Sequence, residues 1–279
     1  MNSSLRNAIV RLLRPVNMAI VFLTIAAGGV LADLNAARWK DILIAAVAGA
    51  LIVGGGNALN DCFDLEIDRL NRPDRPLPSG AITLGQARVL WIFASLFGII
   101  LSLLLTPWNM AVAVFWVVTL YSYSRDLKRT VLFGNLMIGV LTGMAFLFGA
   151  LVAGQPSKAL FPGVFAFLAN VAREVLKDVE DVEGDRRAGA LTLPVRYGTK
   201  RGFVAASVAI ALLIATTFLP YALNIYNARY LGIVLAVDAV LLYVIVSWRN
   251  DSSRSNLNRL SGILKLAMVG GLVAIFAGS

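Results

Sequence analysis

An all-α integral membrane protein, nine transmembrane helices in one bundle, is predicted by three observations: apolar content, the recurrence of apolar stretches, and the placement of basic residues. Of the 279 residues, 58% are hydrophobic, and the mean hydropathy of +0.77 exceeds that of an ordinary soluble domain. Runs long enough to cross a bilayer are expected at 17–33, 42–60, 87–105, 109–124, 132–153, 159–177, 203–221, 230–248 and 262–278. With the N-terminus inside, the inner segments hold 21 of the 25 Lys and Arg residues, and only Arg38, Lys40, Lys158 and Arg229 fall outside. The positive-inside rule therefore predicts a cytoplasmic N-terminus and an outside C-terminus.

The net charge of +9 would suggest nucleic acid in a soluble protein. Here it reads as topology plus a site for anions, and no nucleic-acid partner is expected. Arg11 and Arg14 precede a first span without a small-residue cleavage site, so that helix is expected to be retained. The lone Cys62 cannot form an internal disulfide. With no low-complexity tract or soluble segment, residues 1–279 are expected to form a single intramembrane domain of a multi-pass cell-membrane protein.

Taken in order, Asn2 to Asn17 is a basic, partly amphipathic lead-in with Ile9, Leu12 and Leu13 on one side. Arg14-Pro15 starts a new direction, because proline is tolerated at a helix beginning and disfavours helix in the residue before it. Gly54-Gly55-Gly56 permits close backbone approach or an irregular turn, and no Gly-Lys-Ser/Thr follows to make it a phosphate loop.

The stretch Asn57 to Gly80 carries the first chemistry. If the helix continues through it, Asp61, Asp64 and Asp68 at i, i+3 and i+7 lie within about 60° on one face, joined by Asn57. Clustered anions at a membrane helix end repel one another and are costly to desolvate, which a divalent cation resolves. Oxygen ligands in a chain with no His and one Cys favour Mg2+, which binds through a carboxylate or two plus substrate phosphates. Arg69, Arg72 and Arg75, interleaved with Pro73, Pro76 and Pro78, then form a stiff cationic loop suited to cap an anionic substrate.

The inner loop Tyr121 to Arg129 adds two tyrosines and three cations. Lys128 suits a phosphate as a point charge, and Tyr121 or Tyr123 suits a developing cation. A second acidic copy follows: Asp178, Asp181 and Asp185 repeat the 0, 3, 7 spacing 117 residues on, with Glu174 in the place of Asn57. Two related halves presenting acidic clusters on one side of the membrane could hold a diphosphate between Mg2+ ions. After it, Arg186 to Gly198 looks too ordered for a spacer. Asp238 lies mid-span with no partner among its sequence neighbours, and Asn250 to Asn258 reads as a short polar loop.

Asn60-Asp61-x-x-Asp64-x-x-x-Asp68, the R-x-x-R-P-x-R-P-L-P-S-G tail, Y-S-x-x-x-x-L-K-R with Gly134-Asn135, and K-D-x-x-D-x-x-G-D with T-L-P resemble the UbiA-type intramembrane prenyltransferases over nearly the whole chain. The resemblance implies that Asn60, Asp64, Asp68, Asp178, Asp181 and Asp185 bind Mg2+ and through it a prenyl diphosphate donor. It implies that Arg14, Arg72, Lys128 and Lys177 hold phosphate oxygens, and that Asp61 is a ligand or supports one. Within the family, the motif forms are most like the branch that adds a geranylgeranyl group to geranylgeranylglyceryl phosphate, forming the second ether bond of archaeal-type membrane lipids. Cys62 departs from that pattern, which more often has an aromatic residue there.

The physical reading agrees: an allylic diphosphate leaves once its charge is neutralised, and a carboxylate not fully committed to metal, with Asp61 preferred, takes the acceptor proton. The alternative acceptor is an aromatic acid, 4-hydroxybenzoate or naphthoate, as in quinone synthesis. A CDP-alcohol phosphotransferase lacks its D-G-x-x-A-R core here. A cation transporter is the remote alternative, since its carboxylates belong near the midplane and these lie at helix ends.

Overall fold

The computed structural model describes residues 3–35 and 37–279, and every regular element among them is helical. Asn2, the first residue of the basic lead-in, lies outside the described residues. By its contacts the chain divides into two compact units, Met1–Leu127 with Met144–Ala159, and Lys128–Gly143 with Leu160–Ser279.

In the first unit, α1 (Ser3–Leu13) is amphipathic. Ala8 and Leu12 bury against Ala58, Leu77, Ile82 and Ala87, while Arg6 and Arg11 stay exposed. Arg14 then takes a left-handed backbone, φ +54°, and Pro15 opens α2 (Pro15–Ala32). This is the change of direction expected from Arg-Pro, and the non-glycine residue at positive φ stores strain there. The central element is α3 (Trp39–Phe63), on which α1, α2, α5 (Leu84–Leu103) and α6 (Pro107–Arg125) pack, with the short α4 (Leu65–Asn71) following it.

The glycine triplet explains that crowding. A Cβ on Gly54 would meet Met18 of α2 at 2.9 Å, one on Gly55 the Ala94, Ser95 and Trp91 atoms of α5 at 3.2 Å, and one on Gly56 Leu120 of α6 at 2.9 Å. Three successive residues thus admit three neighbours, and the triplet stays inside the helix, so the irregular turn does not occur. Helix starts follow side-chain chemistry: Thr83 and Gln86 form a capping box on α5, and Thr106 accepts the Asn109 amide before Pro107 at the first turn of α6. Residues 106–109 are therefore a helix start more than a turn.

The helix α7 (Phe133–Val152) gives residues 133–143 to the second unit and 144–152 to the first. In the second unit α8 (Leu160–Glu180) leads through α9 (Val182–Arg187) and α10 (Leu193–Tyr197) to α11 (Thr199–Thr217), α12 (Leu219–Ala222), α13 (Ala228–Asn250) and α14 (Arg254–Gly278). Val175, Leu176 and Val179 of α8 bury with Ile210, Leu213, Val244, Trp248, Leu260 and Leu264. Capped by Ser253, α14 starts eight residues before the expected span, so Arg254 to Asn258 are helix, not loop. The segment after the second motif is ordered as expected, carrying α9 and α10.

Among the described residues, eight helical stretches are long and apolar enough to cross a membrane: α2, α3, α5, α7, α8 with its preceding turn, α11 with α12, α13 and α14. The remaining expected span, α6, is a 19-residue helix. It falls outside those eight because Pro107, Trp108 and Asn109 begin it and Tyr121 to Arg125 end it, which dilutes its apolar middle.

Candidate active site

Both acidic motifs are built on one backbone plan. In the first, α3 stops at Phe63, Asp64 takes φ −91° and ψ 0°, and α4 restarts behind it, with the Asp68 amide bonded to Asp64 O at 2.8 Å. In the second, α8 stops at Glu180, Asp181 takes φ −99° and ψ 10°, and α9 restarts, with the Asp185 amide on Asp181 O at 3.0 Å. The expected continuous helix is thus broken at the middle carboxylate of each copy. Those dihedrals lie in the bridge region, which interrupts helical geometry while the chain keeps its course. Neither middle side chain caps the short helix after it.

In the first motif Asp61 is only 4% exposed. Its Oδ1 meets Arg14 Nη2 at 2.5 Å and Arg75 Nη1 at 3.6 Å, and the same Arg75 nitrogen holds Asp68 Oδ2 at 2.5 Å. Asn60 donates to Asp64 Oδ2 at 2.9 Å. Asn57, expected to join the carboxylate face, donates to Leu13 O at 3.0 Å and so ties α3 to the α1–α2 elbow. Arg11 donates to Asp74 O at 3.0 Å, fastening α1 to the proline-rich loop. Arg14, anticipated on phosphate, has its guanidinium on Asp61, and Asp61, preferred as a base, has one oxygen shared by Arg14 and Arg75. Arg72 ends α4 and is exposed. The sequence marked Arg75 only as one cation of a loop; its bridge between two carboxylates has no local signature.

In the second motif Asp178 and Asp185 take neutral donors. Asn135 Nδ2 of α7 donates to Asp178 Oδ2 at 2.7 Å, and the Thr192 hydroxyl donates to Asp185 Oδ2 at 3.1 Å. Burial pushes the Asp185 carboxyl above the ordinary range, reinforced by Asp181 and opposed by the Thr192 hydrogen bond and Lys177. Asp181 meets Arg254 at 3.4 Å. Lys177 is half-buried, and Arg173 Nη1 donates to Glu174 Oε1 at 2.5 Å. Asn135 and Thr192 lie in the quoted motifs, yet nothing in the sequence said which carboxylate each would hold.

Tyr121 is stacked on Trp91 at 5.9 Å and meets Phe63 edge-on at 5.8 Å. Tyr123 and Lys128 are half-buried, Lys128 in a 3-10 turn at Leu127–Arg129. Asp238 does find a partner: the Thr217 hydroxyl of α11 donates to its Oδ2 at 2.9 Å. Among the described residues no three Asp, Glu, Cys or His side chains gather as a ready cation cage. All motif donors are hard oxygens, the set that suits a cation taking few carboxylates and completing its shell from substrate phosphates.

Residues 21–269 match the UbiA prenyltransferase family. The chain belongs to that family and is a membrane prenyltransferase. It is 38% identical to a digeranylgeranylglyceryl phosphate synthase of Methanopyrus kandleri over 97% of this chain and 98% of that one. It is also 38% identical to a synthase of the same name from Methanothermobacter thermautotrophicus, over 98% and 96%. A solved digeranylgeranylglyceryl phosphate synthase superposes with a TM-score of 0.86 at 30% identity, covering 98% of both chains. The fold is shared too by an Archaeoglobus fulgidus UbiA homolog bound to DMAPP and Mg2+, TM-score 0.70 at 19% identity, over 96% of this chain and 99% of that one.

Proposed function

We propose that this prenyltransferase moves a geranylgeranyl group from geranylgeranyl diphosphate to geranylgeranylglyceryl phosphate, forming the second ether bond of archaeal-type lipids. The carrying observation is the pair of acidic motifs broken at the same step, Asp64 and Asp181, each presenting oxygens at a helix end. Two synthases of that activity's name at 38% identity favour the glyceryl acceptor over an aromatic one. In this reading residues 1–279 work as one domain of the cell membrane, with nine crossings, the N-terminus and active site cytoplasmic and the C-terminus outside.

Asn60, Asp64 and Asp68 with Asp178, Asp181 and Asp185 would hold Mg2+. Bound Mg2+ supplies charge neutralisation to the departing diphosphate. Arg72, Lys128 and Lys177 hold phosphate oxygens directly, and the faces of Tyr121 and Tyr123 favour the cationic carbon. Asp61 anchors Arg14 and Arg75 and so fixes the elbow and the loop that carries Arg72. Exposed apolar side chains such as Phe93, Leu96 and Phe97 of α5 suit an apolar environment.

Purified protein given radiolabelled geranylgeranyl diphosphate with either geranylgeranylglyceryl phosphate or 4-hydroxybenzoate tests the reading. Ether formation on the glyceryl lipid is expected; label on the aromatic acid alone would move the enzyme to quinone biosynthesis.

A further inference from the structure

A polar stripe descends α8 from the second motif. Asn170, Arg173, Glu174, Lys177, Asp178 and Asp181 fall at i, i+3, i+4, i+7, i+8 and i+11, one helix face. Ala172, Val175, Leu176 and Val179, off that stripe, bury in the apolar core. At about 1.5 Å per residue, Glu174 lies roughly 6 Å and Asn170 roughly 12 Å along the axis from Asp178. Both lie in a stretch apolar enough to span a membrane, where ionisable side chains are expensive and mark function.

Helix packing explains only part of the stripe. Asn170 Nδ2 donates to Thr142 Oγ1 of α7 at 2.5 Å, the polar bond that joins helices in lipid. Asn170 is 9% exposed, yet its Oδ1 has no partner among the described residues, and neither has the buried Arg173 Nε. Side chains at i and i+1 diverge on a helix, so the Arg173–Glu174 pair at 2.5 Å requires both to bend together. An orphaned acceptor, an orphaned donor and a carboxylate thus share one face, one to two turns deeper than the motif, and buried polar groups left this way mark a missing partner.

We infer that this stripe binds the glyceryl head of the acceptor lipid and that Glu174 takes its hydroxyl proton, with Arg173 as the residue that positions Glu174. The assignment rests on the acceptor proposed above. A glyceryl head brings a hydroxyl donor to the acceptor oxygens and an ether oxygen for the Arg173 Nε–H. In the transfer, the bond between C1 of the donor and its diphosphate oxygen breaks, and the electron pair leaves on diphosphate. The glyceryl oxygen bonds to C1, and its proton passes to Glu174. Asp61 is held between two guanidiniums at the helix end, and Asp178, Asp181 and Asp185 are assigned to Mg2+; Glu174, whose Oε1 meets the single guanidinium of Arg173, is the carboxylate one turn toward the apolar interior, where C1 extends from the diphosphate.

The near-isosteric Glu174→Gln is compared with the wild type for transfer rate, for donor binding with Mg2+ by calorimetry, and for oxygen-18 scrambling between bridging and non-bridging positions of geranylgeranyl diphosphate. Expected is a fall in kcat of at least about a hundredfold, the scale of a lost general base. Donor binding and scrambling persist, and Glu174→Asp recovers part of the rate. Wild-type kcat in Glu174→Gln, or loss of donor binding and scrambling along with transfer, overturns the inference. A wild-type enzyme that ignores the glyceryl acceptor instead overturns the function it rests on.

Discussion

Asp61 and Asp68 of the first motif meet the guanidiniums of Arg14 and Arg75, whereas Asp178 and Asp185, at the same steps of the second, meet the amide of Asn135 and the hydroxyl of Thr192. The backbones match at the central break, and the difference there lies in the partners. A guanidinium neutralises a carboxylate as it orients it; an amide or hydroxyl orients it and leaves the charge in place. The first motif is therefore an ionic lock that fixes α1, the elbow and the proline-rich loop, and the second orients Asp178 and Asp185 with neutral donors.

The most damaging change is to a carboxylate proposed to bind Mg2+. Asp64→Ala and Asp185→Ala are each expected to lower Mg2+-dependent transfer by about a thousandfold, the upper scale for losing one electrostatic stabiliser of the leaving group, while the protein stays folded. Removing metal with a chelator should have the same effect on the wild type. Full activity in either variant would break the assignment of matched roles to the two motifs.

Next is the lock. Arg75→Gln breaks a buried bridge to Asp68 and should destabilise the protein by about 3 kcal/mol, read as a lowered melting temperature in detergent, with Arg75→Gln/Asp68→Asn recovering most of it. Failure of the double variant to recover would show that Asp68 needs its charge for something other than Arg75. Smaller is Asn135→Ala, which leaves Asp178 without its amide donor and should weaken Mg2+ binding by about tenfold, near 1.4 kcal/mol, in a calorimetric titration. The smallest effect belongs to Arg254, whose side chain is 77% exposed beside Asp181. Arg254→Ala should shift stability by less than about 0.5 kcal/mol, because water screens the pair, and a larger change would mean the second motif depends on its cation as the first does.

Much of this was legible in the chain. Repeated spacing at Asp61/Asp64/Asp68 and Asp178/Asp181/Asp185 located both motifs, since carboxylates three and four apart stand out against apolar runs. Helix positions were close because membrane helices must satisfy their own backbone in lipid. The start of α14 was missed because Ser253 and the polar residues after it read as a loop, though Ser253 is an N-cap. Thr83 with Gln86 was a similar signal, a local one that hydropathy does not register. The ion pairs of Asp61 were not legible: Arg14 lies 47 residues away in sequence, and the partner of a carboxylate is a matter of packing.

By itself the sequence determined the helical membrane class, the two acidic motifs and the oxygen chemistry they offer, because composition and short-range spacing act within a few turns of one helix. Only the tertiary structure decided which cation or amide each carboxylate holds, where both helices break, and which polar atoms of α8 are left without a partner. Those depend on side chains brought together from distant parts of the chain, where burial makes every pairing or missing partner energetically decisive.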